Sequence, residues 1–109
     1  MKKKFIPLIK KQKLFNGFRQ VFSVNDIKLL LIHINDKTYL LENKCGHFGV
    51  ALDNAIIEQH QLKDIIICAQ HGISFDLSTG QVVNRPWESC DPIKILECVL
   101  EEDSIGFYL

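Results

Sequence analysis

Residues 18–42 hold three β-rich apolar runs, FRQVFSV, IKLLLIHI and KTYLLE, separated only by Asn25-Asp26 and Asn35-Asp36. Runs divided by short turn-forming pairs fold as hairpins, so this stretch predicts an antiparallel meander. Asn-Asp is a weaker tight-turn signal than Asn-Gly, and the loop geometry is left open. FIPLIK (5–10) is extended, and its Pro7 suits an edge strand. AIIE (55–58), DIIIC (64–68) and ISFD (73–76) read as strands, LSTGQ (77–81) as a turn, and QVV as the start of another short strand. After Pro86 and Pro92, IKILECVLEE (93–102) predicts one long strand, and IGFYL (105–109) closes the chain. Leu14, Phe15, Phe18, Val21 and Phe22 also fit helical spacing, but Gly17 and the aromatic, β-branched residues after it favour strand. No segment of ten residues reads as a helix, and there is no repeat or linker. The expectation is a single all-β domain.

Composition narrows the function. The chain has 109 residues and is 47% apolar, enough for one modest core. A bound metal centre can supply part of the stability of so small a domain. Acidic and basic side chains balance at 13 each, which argues against the basic surface of a nucleic-acid binder. Lys2, Lys3, Lys4, Lys10, Lys11, Lys13 and Arg19 gather in the first 19 residues without an acid. Lysines on a solvated edge strand discourage edge-to-edge pairing, and that reading is preferred to an anionic partner.

MKKKFIPLIK begins like a signal peptide, but its apolar run breaks at Lys10 and no small-residue cleavage site follows. No stretch approaches a membrane span, which needs about 20 apolar residues. A cytoplasmic chain without membrane contact is expected. There Cys45, Cys68, Cys90 and Cys98 serve as metal ligands or free thiols rather than as a disulfide framework.

Two short phrases carry the chemistry. Cys45-x-His47 is followed, after twenty residues, by Cys68-x-x-His71. Both lie beside turn-like segments, so two loops of a β body can bring four ligands to one tip. Zinc accepts two thiolates and two imidazoles, though its usual knuckles pair cysteine with cysteine, and histidine with histidine on a helix. A Rieske [2Fe–2S] centre needs the mixed arrangement, with two thiolates on one iron and two imidazoles on the other.

CGHFGVAL (45–52), CAQHGISFD (68–76), LSTGQ (77–81) and Pro86 together resemble the Rieske-type [2Fe–2S] ferredoxin family, over nearly the whole chain. The resemblance implies stacked antiparallel sheets with a small cluster-binding subdomain formed by two loops. Base sheets would occupy about 1–42 and 87–109, and the subdomain about 43–86, within one domain spanning 1–109. It implies one [2Fe–2S] cluster, with Cys45 and Cys68 on the inner iron and His47 and His71 on the outer. Gly49 and Gly72 would let backbone N–H groups approach the sulfides, as residues lacking Cβ can. Phe48 and Leu52 would screen the cluster, and Pro86 with Trp87 would cover the tip. Where the family usually has proline after each cysteine, this chain has Gly46 and Ala69. The segment between the phrases is longer than usual, which suggests a longer hairpin loop around QHQLK (59–63).

High-potential members tie the two loops with a disulfide and place serine and tyrosine hydroxyls near the cluster. The matching positions here are Gly49 and Gln70, and Ile73 and Phe75. Hydroxyl donors stabilise the more negative reduced state, so their loss implies a low potential. His33 and His60 read as surface or packing residues. Cys98, within the last long strand, and Cys90, in a loop, read as ordinary thiols.

The resemblance implies a small electron carrier without a catalytic site of its own, isolated as a monomer. It would shuttle single electrons between a reductase and an oxygenase-type enzyme, which dock at the histidine tip. The alternatives are a small subunit of a larger reductase, such as a nitrite reductase, and a structural zinc domain.

Overall fold

The computed structural model describes residues 4–46, 50–69, 72–83 and 90–109. Among them the strands run in chain order as β1 (Phe5–Lys10), β2 (Phe18–Val24), β3 (Ile27–Ile34), β4 (Lys37–Glu42) and β5 (Ile56–His60), then β6 (Lys63–Ile67), β7 (Ser74–Asp76), β8 (Ile95–Leu96), β9 (Val99–Glu101) and β10 (Ser104–Tyr108). They pair antiparallel in three sheets, ordered β1-β10-β9, β2-β3-β4-β8 and β5-β6-β7. One 3-10 turn, Lys11–Lys13, joins β1 towards β2. No helix among the described residues is long and apolar enough to cross a membrane.

The meander forms as its sequence predicts. Val24 pairs with Ile27 and Ile34 with Lys37, so each connection is two residues long. Asn25, Asp26, Asn35 and Asp36 all take positive φ, between 49° and 67°. Two successive left-handed residues make the turn whose twist matches that of the flanking strands, and Asn and Asp tolerate the conformation better than most residues.

The four-stranded sheet lies between two cores, which explains why IKLLLIHI and KTYLLE do not alternate with polar residues. Leu30, Ile32, Tyr39 and Leu41 join the first core, with Leu52, Ile66, Ile73, Phe75, Leu77 and Ile93. Leu29, Leu31 and Leu40 point the opposite way and join Ile105 and Phe107 in the second. Successive strand residues face opposite sides, so a sheet covered on both faces needs an unbroken apolar run. β8 keeps the same alternation, with Ile95 packed on the first core and Leu96 on the second.

The long strand expected over 93–102 is not one strand. It breaks at Glu97 and Cys98, and its halves belong to different sheets, β8 beside β4 and β9 beside β10. A continuous strand would have put Glu97 on the same face as Ile93 and Ile95, inside the first core. Burying that carboxylate without a partner is costly, whereas the break places Cys98 against the second core. The QVV strand is reduced to a single bridge between Val82 and Phe75.

The extra length between the Cys/His phrases also takes a different form from the loop expected. His60 pairs with Lys63, so the β5–β6 connection is a two-residue turn. Gln61 and Leu62 take φ of 50° and 70° there.

Pro7 lies on edge strand β1, where the register with β10 slips between Pro7 and Ile9. The Glu42 N–H donates to the Lys94 carbonyl at 2.9 Å, so the chain leaves the middle sheet and re-enters it at adjacent points. From Cys45 to Ile93, most of the buried apolar residues described between them belong to the first core.

Candidate metal centre

Cys45 follows β4 and Cys68 follows β6. Each is only 2% exposed, and both belong to the first core. Their loops close in the same way. The Cys45 N–H donates to the Val50 carbonyl at 2.6 Å, and the Cys68 N–H donates to the Ile73 carbonyl at 2.8 Å. Each cysteine is thus bonded to the fifth residue after it, around a loop that contains one histidine of the sequence motif. The second loop is tightened further by a bond from the Gly72 N–H to the Cys68 carbonyl at 3.0 Å, with Gly72 at φ +68°.

The structure therefore brings Cys45 and Cys68 into one buried cluster, each at the start of a loop closed by the same kind of hydrogen bond. His47 and His71 lie outside the described residues, as do Phe48, Gly49, Gln70, Pro86 and Trp87. Among the described residues no group of three or more His, Cys, Asp or Glu is gathered to hold a metal ion.

The first loop is anchored by side chains that sequence reasoning did not single out. Asn43 Oδ1 accepts from the Leu52 N–H at 2.8 Å, and its Nδ2 donates to Asp53 Oδ1 at 3.2 Å. From the middle sheet, Arg19 Nη1 donates to the carbonyls of Asp53 at 2.9 Å and Ala55 at 2.6 Å. Bonds from a charged donor are the stronger kind. The signal available in sequence was the face of β2. Arg19 shares it with Val21, which packs on the first core.

The second loop is held through β6. Asp64, 2% exposed at the start of that strand, accepts from Tyr39 Oη at 2.5 Å and from Asn35 Nδ2 at 3.2 Å. The Tyr39 phenol is pushed up to about 12, first by burial and then by its hydrogen bond to Asp64 and that residue's charge. It therefore stays protonated as the donor that a buried carboxylate requires.

The returning chain closes over the site. A Cβ built on Gly46 would lie 1.9 Å from the Asp91 carbonyl oxygen, so the backbone of 91–92 occupies the space a side chain would need. The departure at position 46 thus has a packing cause in this molecule. The Ile93 N–H donates to the Gly80 carbonyl at 2.9 Å and ties the same segment to the turn after β7.

Leu52, Ile73 and Phe75 are fully buried beside the cysteines. Ser74 between the last two is half-buried, as strand alternation requires. Ile73 and Phe75 therefore present hydrocarbon to the first core. His33 Nδ1 shares a 2.8 Å hydrogen bond with Thr38 Oγ1, and His60 is paired with Glu58 at 2.8 Å in solvent. Cys90 packs against the first core and Cys98 against the second. Cys98 lies between β8 and β9 rather than in a strand, and burial raises its thiol to about 11.

The donor chemistry fits an iron–sulfur centre. Two buried thiols on paired loops, each with a histidine two or three residues on, supply the ligand types of a Rieske cluster. Comparison with known proteins points the same way. The sequence profile of the Rieske [2Fe-2S] domain family matches residues 4–99. No curated protein sequence matches the chain.

Among solved structures, the ferredoxin of carbazole 1,9a-dioxygenase from Nocardioides aromaticivorans IC177 superposes with a TM-score of 0.77 at 22% identity, covering 94% of both chains. A Sphingomonas yanoikuyae B1 ferredoxin gives 0.77 at 20% identity, covering 97% of this chain and 99% of its own. A putative NADH-dependent nitrite reductase small subunit from Mycobacterium tuberculosis gives 0.81 at 13% identity, covering 100% of this chain and 97% of its own. At these identities the likeness establishes the all-β fold.

Proposed function

Because the chain belongs to the Rieske [2Fe-2S] domain family, whose cofactor is one [2Fe–2S] cluster, we propose that it is a low-potential ferredoxin that carries single electrons. The observation that carries this reading is the pair of buried cysteines on loops closed by the same five-residue hydrogen bond. Cys45 and Cys68 would hold the inner iron, and His47 and His71 the outer. When bound, the cluster supplies a one-electron couple. Leu52, Ile73 and Phe75 exclude water from the cysteine side, and Asn43 and Arg19 hold the first loop in register. The division of labour would be a base made of the sheets β1-β10-β9 and β2-β3-β4-β8, and a cluster-binding part over about 43–86 that contains β5-β6-β7.

A carrier of this design docks briefly with a reductase and with an acceptor at the histidine end, as a monomer in the cytoplasm. An oxygenase-type acceptor is supported by the likeness to the carbazole dioxygenase ferredoxin. The likeness to a nitrite reductase small subunit supports a second reading, in which the chain is a permanent subunit of a larger reductase. Retention of two thiols and two imidazoles in the motif favours the carrier.

The test is anaerobic purification with metal, sulfide and redox analysis. Two irons and two acid-labile sulfides per chain are expected, with a midpoint of roughly −150 to 0 mV, the low end of the Rieske range. Cys45→Ser and Cys68→Ser should each lose the iron. A folded preparation holding zinc alone would reject the cluster, and a midpoint well above zero would reject the low-potential assignment.

A further inference from the structure

The middle sheet ends in an unguarded edge. β2 closes the order β2-β3-β4-β8, and its seven residues pair in unbroken register with β3 alone among the described residues. The other edge of β2 is a row of backbone donors and acceptors, which folded proteins normally blunt with charge, proline or a bulge. β2 has neither proline nor bulge, and its exposed side chains, Gln20 and Ser23, are uncharged. Its one charged residue, Arg19, is committed to the carbonyls of Asp53 and Ala55. The neighbouring edge, β1, is guarded: Pro7 lacks an N–H, and the register slips between Pro7 and Ile9. The lysines expected to protect that edge are not spread along it. Lys10 ends β1, and Lys11 and Lys13 follow in the 3-10 turn.

A groove of about 480 Å³ is lined by both strands. Leu8, Ile9 and Phe22 give it apolar walls, and Lys10, Lys13 and Gln20 give it polar groups. Both lysines are exposed and make no ion pair among the described residues. Glu101, Glu102 and Asp103 stand at the adjoining β9–β10 connection, where the Lys11 N–H donates to the Asp103 carbonyl at 2.8 Å, but no acid lines the groove. The apolar walls pack on the second core, whereas Cys45 and Cys68 belong to the first.

We propose that the groove receives an extended, acidic segment of a partner protein, which adds a strand to β2 and places its carboxylates on Lys10 and Lys13. Bonds to the edge backbone supply affinity in this mode, and side-chain contacts supply selectivity. Alternate residues of an added strand share a face. A segment that alternates apolar and acidic residues therefore sets hydrocarbon against Leu8 and Phe22 and leaves carboxylates for the lysines. A second copy of this chain is the poorer occupant, because its β2 would bring its own Lys10 and Lys13, cation against cation. A partner held here leaves the cysteine loops uncovered, so the chain would stay tethered to one protein while its other end meets another. No residue of the groove belongs to the first core, so the proposal stands or falls apart from the carrier reading.

The experiment uses the whole chain and a fluorescein-labelled peptide of alternating glutamate and valine, about six residues long, the usual length of a strand. Anisotropy should report binding that weakens as salt is raised. Lys10→Glu/Lys13→Glu should bind at least tenfold more weakly, and Lys63→Glu, on β6, as the wild type does. The same peptide with alternate backbone nitrogens methylated keeps its charge but cannot join an edge, and should also bind at least tenfold more weakly. Amide exchange with the unmodified peptide bound should slow at alternate residues of β2. No binding at millimolar peptide, equal binding of a lysine–valine peptide, or protection at β5 or β9 in place of β2 would overturn the proposal. So would a sedimenting mass that doubles without peptide, or binding to phosphatidylglycerol vesicles that the acidic peptide does not displace. Iron and sulfide analysis tests the carrier reading separately, so the two can fail independently.

Discussion

Tyr39 and Asp64 show how one side chain sets the terms for another. The carboxylate is buried, and the phenol and the Asn35 amide are its side-chain donors among the described residues. Tyr39→Phe should cost about 1–3 kcal/mol at neutral pH, the usual penalty for a buried acceptor that loses a partner. The pH dependence has a definite sign. The folded phenol titrates at about 12 against an ordinary value of 10.0. Its contribution is therefore complete below pH 10 and declines as pH rises towards 12, because the unfolded chain loses that proton first. The loss across the interval is on the order of 2 kcal/mol. Urea melts between pH 8 and 11.5 should show the wild type and Tyr39→Phe converging above pH 10, and a constant gap would refute the assignment. Gly46 illustrates what a sequence hides at this scale. The motif marked the position as unusual, but the reason is a carbonyl 45 residues away in the chain.

Elements were legible where their signals were local. The two Asn-Asp turns, β1 and the meander are read directly, because strand propensity and turn chemistry sit within a few residues of each other. The division of 93–102 was not, because what breaks it is a change of sheet, which depends on partners far away in sequence. The two cysteine loops were located from ligand types alone, whereas the anchors Asn43 and Arg19 required the folded chain.

The β5–β6 hairpin carries a different kind of information. Leu62 holds φ at 70° and is 84% exposed, so it gains little from packing while paying a left-handed penalty. That penalty is roughly 1–2 kcal/mol for an L-residue. Leu62→Gly should stabilise the chain by about 0.5–1 kcal/mol after the greater freedom of unfolded glycine is subtracted. Chemical denaturation at matched m-values would measure it, and a destabilised variant would mean that Leu62 is held by something else.

Across the whole molecule, the middle sheet separates the two cores and lets them answer differently to the same insult. Only the first contains Cys45 and Cys68. Stripping iron should therefore loosen the loops around 43–55 and 67–76 before it reaches β1 and β10, whose core lies behind the sheet. Amide exchange on loaded and stripped protein should lose protection first at the Cys45 and Cys68 N–H groups and last at Ile105 and Phe107. Uniform loss would mean that the two cores unfold as one unit.

The hydrogen bond from Glu42 to Lys94 has an engineering corollary. Everything between those residues departs from, and rejoins, a single doorway in the β-framework, so it is topologically a removable cassette. Excised and replaced by an Asn-Gly link, it would leave β4 and β8 as an ordinary hairpin. Leu30, Ile32, Tyr39 and Leu41 would then face water and need polar substitutes. Read in reverse, a plain β-framework with such a doorway could receive the cassette, and with it a redox function, at the cost of one hairpin turn.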